Sequence, residues 1–165
     1  MHFKNTGKVS SQAITTMQFT GRIQARADVK GRLFFPADFR RQLDSADQRL
    51  VLRRDAWEPC LTIYPYAAWE AEVGELRARL NLWDPTERAV YRQFLSDVTV
   101  AELDAAGRFL VPRHLIALIG DDRRVTFIGL DDRIELWSAA QTERPFMPAE
   151  DFAAKLSALM SGMNA

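Results

Sequence analysis

The segment Asp28-Val-Lys-Gly-Arg-Leu-Phe-Phe-Pro36 returns as Asp104-Ala-Ala-Gly-Arg-Phe-Leu-Val-Pro112, an offset of 76 positions that keeps Asp, Gly, Arg and Pro in register. Apolar positions keep step, Phe39 with Leu115 and Leu43 with Ile119. Further on, Cys60-Leu-Thr-Ile-Tyr64 parallels Arg133-Ile-Glu-Leu-Trp137 at an offset of 73, as a turn three residues shorter produces. An ordered series of this kind is a tandem duplication. A unit of about 45 residues buries too little surface to stand alone, so the two copies are expected to pack together.

Each copy reads as strand, tight turn, strand, short helix and hairpin. Arg22-Ile-Gln-Ala-Arg-Ala27 alternates polar and apolar residues as a half-buried strand does. Asp28 can bond the turn backbone through its carboxylate, and Gly31 supplies the positive φ of such a turn; Asp104 and Gly107 are their counterparts. Pro36 and Pro112 suit the first position of a helix. Leu50-Val-Leu-Arg53 and Cys60-Leu-Thr-Ile-Tyr64 form the expected hairpin around Asp55-Ala-Trp-Glu-Pro59, repeated by Val125–Ile128 and Ile134–Trp137. Two helices are expected between the copies. The first opens at Pro65 and carries Trp69, Val73, Leu76 and Leu80 on one stripe; the second opens at Asp84-Pro-Thr-Glu87, with Asp84 as N-cap and Glu87 reaching back. The organisation is then a flexible lead over residues 1–16, with Met17 as an alternative start, a first unit over 17–69 and linker helices over 70–97. A second unit over 98–141 precedes a tail over 142–165, whose short amphipathic helix carries Phe152, Leu156 and Leu159.

Composition narrows the function. Lys and Arg number 22, and so do Asp and Glu, so any nucleic-acid surface must be local. One cysteine, Cys60, rules out an intramolecular disulfide framework, suits a reducing cytoplasm and reads as a buried small hydrophobe. With two histidines besides, no metal or cofactor is expected, and His114 reads as an ordinary half-exposed residue. No apolar run approaches the roughly 20 residues of a membrane span. A nucleophile paired with a base, a recognisable carboxylate pair and a phosphate loop are all missing from the sequence, so neither enzyme chemistry nor a small-molecule substrate is expected. Trp57, Trp69, Trp83 and Trp137 are expected to pack in the interior rather than to form a stacking platform. Asp121-Asp122 and Asp131-Asp132 read as turns or as acceptors for a basic neighbour.

Asp28-Val-Lys-Gly-Arg32 and Asp104-Ala-Ala-Gly-Arg108 resemble the two Asp-x-x-x-Arg motifs of the MraZ family. Met17-Gln-Phe-Thr-Gly-Arg22, Pro36-Ala-Asp-Phe-Arg40 and Cys60-Leu-Thr-Ile-Tyr-Pro65 resemble its other signatures, and the likeness runs from about Met17 to Gln141. That resemblance implies a mainly β fold with peripheral helices, in which two tandem swapped-hairpin units of AbrB type form a pseudo-symmetric β-barrel. It also implies a cytoplasmic, nucleoid-associated regulator that binds double-stranded DNA at promoter repeats of the division and cell-wall gene cluster and self-associates into a ring. The rival is an antitoxin-like protein-binding module, since similar units serve there.

The charge is not shared evenly between the copies. Residues 20–56 hold nine bases and five acids, net +4, whereas residues 96–132 hold four bases and seven acids, net −3. Arg26 stands against Glu102, and Lys30 against Ala106. The first copy is thus the candidate phosphate face, with Arg22, Arg26, Lys30 and Arg32 as DNA-binding residues. Asp28, Gly31, Asp104, Gly107 and Arg108 are read as residues that build the turns. Arg40 and Arg41 are read as a solvated helix face.

Overall fold

Both Asp-x-x-Gly segments reverse the chain and leave it in a short strand, so the two copies build the same five elements in the same order. The computed structural model describes residues 18–162; the lead over residues 1–16 and the reading of Met17 as a start lie outside them. Copy one runs β1 (Arg22–Arg26), β2 (Arg32–Phe34), α1 (Ala37–Arg40), β3 (Arg49–Arg54) and β4 (Leu61–Pro65). Helices α2 (Tyr66–Arg79) and α3 (Pro85–Ser96) follow. Copy two runs β5 (Val98–Glu102), β6 (Arg108–Leu110), a 3-10 helix (Arg113–Ile119), β7 (Arg124–Leu130) and β8 (Arg133–Ser138). A 3-10 turn (Ala139–Thr142) and α4 (Ala149–Met160) close the described chain.

Each copy keeps its own hairpin, β3 with β4 and β7 with β8, and every other ladder pairs a strand of one copy with a strand of the other. Six form one antiparallel sheet in the order β1-β7-β8-β4-β3-β5, and β2 pairs with β6 in a separate two-stranded ribbon. Exchanging each strand for its counterpart in the other copy reads the sheet order backwards, which is a pseudo-twofold axis. That axis passes between β4 and β8, where Ile63 faces Ile134 and Leu61 faces Leu136, and through the ribbon, where Leu33 faces Phe109. The leading strand of each copy lies on the other's hairpin: β1 on β7, with Arg26 opposite Arg124, and β5 on β3, with Glu102 opposite Arg49. The fold is mainly sheet with peripheral helices, as expected. The sheet ends at β1 and β5, and among the described residues no closed barrel is found.

Side-chain alternation makes the shared core. Leu33, Phe35, Phe39, Phe109, Val111, Leu115, Phe127, Ile134 and Leu136 are buried in one cluster drawn from both copies. Phe109 meets Phe35 and Phe127 edge to face at 6.2 and 6.3 Å between ring centroids. The other face of the sheet is covered by α2. Trp69 packs on Tyr64 and stacks on Phe94 at 5.2 Å, and Arg133 pins the helix through Glu72 at 2.8 Å.

Several sequence expectations are corrected in detail. Pro36, Pro65 and Pro112 sit one residue earlier than the first helical position, as N-caps with extended ψ. Copy two's short helix is 3-10 rather than α. It lies in a run of β-branched Ile116 and Ile119 around Leu115 and Leu118, a composition with less helix preference. Asp84 caps α3 as expected, accepting from the Thr86 and Glu87 amides, but Glu87 reaches past it to the Asn81 amide. Leu80 falls beyond the end of α2, as its extended C-cap. Trp69 and Trp137 are buried, but Trp57 and Trp83 are 89% and 95% exposed. Both lie in connecting segments, Trp57 in the bend between β3 and β4 and Trp83 in the turn between α2 and α3, and their rings stay exposed there.

Candidate nucleic-acid interface

Each turn is held by its aspartate in the same way. Asp28 Oδ1 accepts from the amides of Lys30 at 2.9 Å and Arg32 at 2.8 Å, while Oδ2 accepts from Arg32 Nε at 2.6 Å. Asp104 repeats this with the Ala106 and Arg108 amides and Arg108 Nε, all at 2.9 Å. The Arg32 and Arg108 amides are the main reason that both carboxyls titrate below the usual carboxylate range, so both stay ionised at neutral pH. Gly31 and Gly107 take φ of 83° and 85°, which other residues adopt only with strain. Their carbonyls then accept from the opposite copy, Gly31 O from the Val111 amide and Gly107 O from the Phe35 amide, both at 2.9 Å. The turns therefore extend the ribbon at both of its ends.

The outer face of this ribbon is where the two motifs meet. Leu33 and Phe109 point inward, so Arg32, Phe34, Arg108 and Leu110 point outward. Arg32 faces Leu110 and Phe34 faces Arg108, which makes the two arginines diagonal neighbours, roughly 7–8 Å apart at their Cα atoms. Arg108 lies over the Phe34 ring at 5.9 Å. Phe34 is 61% exposed and Leu110 53%, unusual for a β-ribbon with solvent on that side. The two guanidinium groups spend Nε on the turn aspartate, and no Nη of either makes a hydrogen bond to the described residues. The result is a pair of half-exposed donor forks on one face of the ribbon.

The other sequence candidates divide. Lys30 is exposed at the tip of the first turn, beside Val29. Arg26 is exposed at the end of β1, next to Arg124 across the ladder. Arg22 is engaged with the tail, donating to the Thr142 carbonyl at 3.1 Å and lying 5.3 Å from the Phe146 ring. Arg41 pairs with Asp38, Arg49 with Asp47 at 2.8 Å, and Arg53 lies over Phe94 at 4.2 Å. Several of the bases that give copy one its positive count thus serve the fold. Sequence reasoning missed Phe34 and Leu110 as surface residues and Arg108 as a member of the same face. The offset of 76 equates residues but does not say that the copies exchange strands.

Cys60 is buried, as expected, and has a spatial neighbour that its sequence surroundings did not show. Its thiol lies 3.7 Å from Glu135 Oε2, within a group of Asp55, Cys60 and Glu135 whose polar atoms fall inside 4.8 Å. Burial pushes the thiol up, away from thiolate, and burial also raises Glu135. Asp55 is already satisfied by the Trp57 and Glu58 amides and the Thr62 hydroxyl. His114 is exposed and meets Asp97 at 3.2 Å. Asp122 and Asp132 accept from Arg124 and Arg133, the basic neighbours anticipated for those turns. No helix of the described residues is long and apolar enough to cross a membrane.

Comparison with known proteins agrees with the duplication. The MraZ protein family model, whose description adds the term antitoxin-like, matches twice, over residues 18–93 and 94–158. The chain is 43% identical over 149 residues to a protein of Bacteroides thetaiotaomicron named transcriptional regulator MraZ, covering 90% of this chain and 96% of that protein. A Phocaeicola vulgatus protein of the same name is 44% identical over 149 residues, covering 90% and 97%. One from Thermomicrobium roseum is 35% identical over 146 residues, covering 86% and 99%.

Proposed function

The chain belongs to the MraZ family, and on that premise we propose that it is a transcriptional regulator that reads double-stranded DNA with the outer face of its β2/β6 ribbon. The observation that carries this reading is the diagonal pair Arg32 and Arg108 on one face of the ribbon, each held by an ionised aspartate with its Nη donors unspent. A two-stranded ribbon fits the major groove of B-DNA, and an arginine fork can grip a guanine edge through two parallel hydrogen bonds. Fixing Nε beforehand lowers the entropy that the side chain loses on binding. Arg32 is the base-reading residue, Lys30 and Arg26 serve phosphates, and Arg22 acts chiefly through the tail. A chain without net charge is not steered to DNA from a distance, so affinity arises from several subunits on several repeats. The +4 and −3 windows suit head-to-tail contacts that close into a ring. The target that fits the family is the promoter-repeat region of the division and cell-wall gene cluster, which would place the protein on the nucleoid.

The second reading, a protein-binding module of antitoxin type, is favoured by α4. Phe152, Leu156 and Leu159 are exposed along that helix with nothing over them. The two readings separate on mixing the protein with the upstream region of its own operon while the complex is sized by light scattering. A DNA regulator of this kind prefers the repeats over a scrambled duplex and has a mass of several subunits. A monomer that binds both duplexes alike contradicts it.

A further inference from the structure

The strand exchange carries one cation across the pseudo-twofold axis. Above Gly107, in the second turn, lies Arg40 from α1 of the first copy: a methyl group placed on Gly107 would come within 2.5 Å of Arg40 Nη1. Above Gly31, in the first turn, the equivalent position is filled by Ile116, whose Cδ1 would come within 2.6 Å. Arg40 and Ile116 are partners at the same offset of 76 that matches Lys30 with Ala106. The first turn thus has a lysine at its tip and an apolar cover, while the second has an alanine at its tip and a guanidinium as cover. Each turn ends with one cation besides its motif arginine, supplied from a different place.

Arg40 is half-buried, and among the described residues its side chain has no ion pair and no hydrogen bond. A guanidinium carries five donors, and those of Arg40 are left to solvent. Its neighbour Arg41 shows the alternative, a cation spent on Asp38. An arginine clamped on a glycine of a turn, with its donors unspent, is arranged for an external anion, and the ribbon that the turn closes presents Arg32 and Arg108 on its outer face.

We propose that Arg40 contacts a DNA phosphate at the second turn, standing in for the lysine that Ala106 replaces, so that both turns of one subunit grip the duplex. The proposal rests on the ribbon being the DNA face. The experiment is fluorescence anisotropy with repeat-containing duplex at several salt concentrations. Arg40→Gln, which keeps much of the packing on Gly107, should lower the slope of log affinity against log salt by about 0.9 per engaged subunit. Ala106→Lys, at an exposed position, should steepen it by about the same amount. Arg41→Gln should leave the slope unchanged. An Arg40→Gln slope equal to wild type overturns the proposal, even if affinity falls, because a packing defect removes no counterion. Should Arg40→Gln fail to fold, Ala106→Lys decides alone, and an unchanged slope overturns the proposal. Wild-type protein without salt-dependent binding to the repeats takes the ribbon reading down with it, which separates the two failures.

Discussion

Arg32→Ala is expected to abolish binding to repeat-containing DNA at moderate salt without changing the size of the particle. The turn keeps its backbone bonds, since Asp28 still accepts from the amides at 30 and 32 and Gly31 still donates to the Asp28 carbonyl at 3.0 Å. What disappears is one donor fork from every subunit. A well-formed contact of this kind contributes about 1–3 kcal/mol of discrimination, and losses multiply where several weak sites act together. Arg32→Lys separates the two tasks of the side chain. Lysine restores the charge but not the fork, so it should recover part of the affinity for any duplex and little of the preference for the repeats. Arg108→Ala is expected to weaken binding less, because Arg40 still holds the second turn to phosphate and Arg32 still reads the bases. Anisotropy paired with sizing of each variant checks this, and an Arg32→Ala protein that binds the repeats like wild type contradicts it.

Phe109→Ala costs about 3–5 kcal/mol of stability, the range for removing a fully buried phenylalanine. Set against a typical domain stability of about 5–15 kcal/mol, that is a large part of the whole. Phe109 is 1% exposed, faces Leu33 across the ribbon and touches rings from both copies. The damage therefore does not stay in copy two. Because β1 lies on β7 and β5 on β3, neither copy owns a complete sheet, and denaturant should unfold wild type and variant alike in one transition. Two separated transitions, or a loss under about 1 kcal/mol, would show that the copies are independent.

The repeated motif made much of this legible. Asp28, Gly31, Asp104 and Gly107 sit where turn chemistry puts them, because a carboxylate two residues before a free amide and a glycine at positive φ are local requirements. The hairpins followed from alternation and the shared core from the smallness of one copy. The exchange of strands had no local signal and was expected only from the family resemblance. Counting charge by window does not tell which bases are already engaged, for a related reason. Arg22, Arg41 and Arg49 lie in the basic window yet are spent on a carbonyl or a carboxylate, and Arg40 belongs in space to the other copy's turn. Trp57 and Trp83 depart from the expected burial because a large apolar side chain is buried only if an element lies over it. That is a property of the assembled fold.

If the outer face of the β2/β6 ribbon meets the duplex, its amides are shielded on binding. Hydrogen exchange of the full chain, with and without repeat-containing duplex, tests it directly. Slowed exchange is expected at the turn and ribbon amides over residues 28–35 and 104–111, with α2 and α3 unchanged. Protection over α2 and α3, with the two turns exchanging as before, would place the DNA on the opposite side of the sheet and contradict the account.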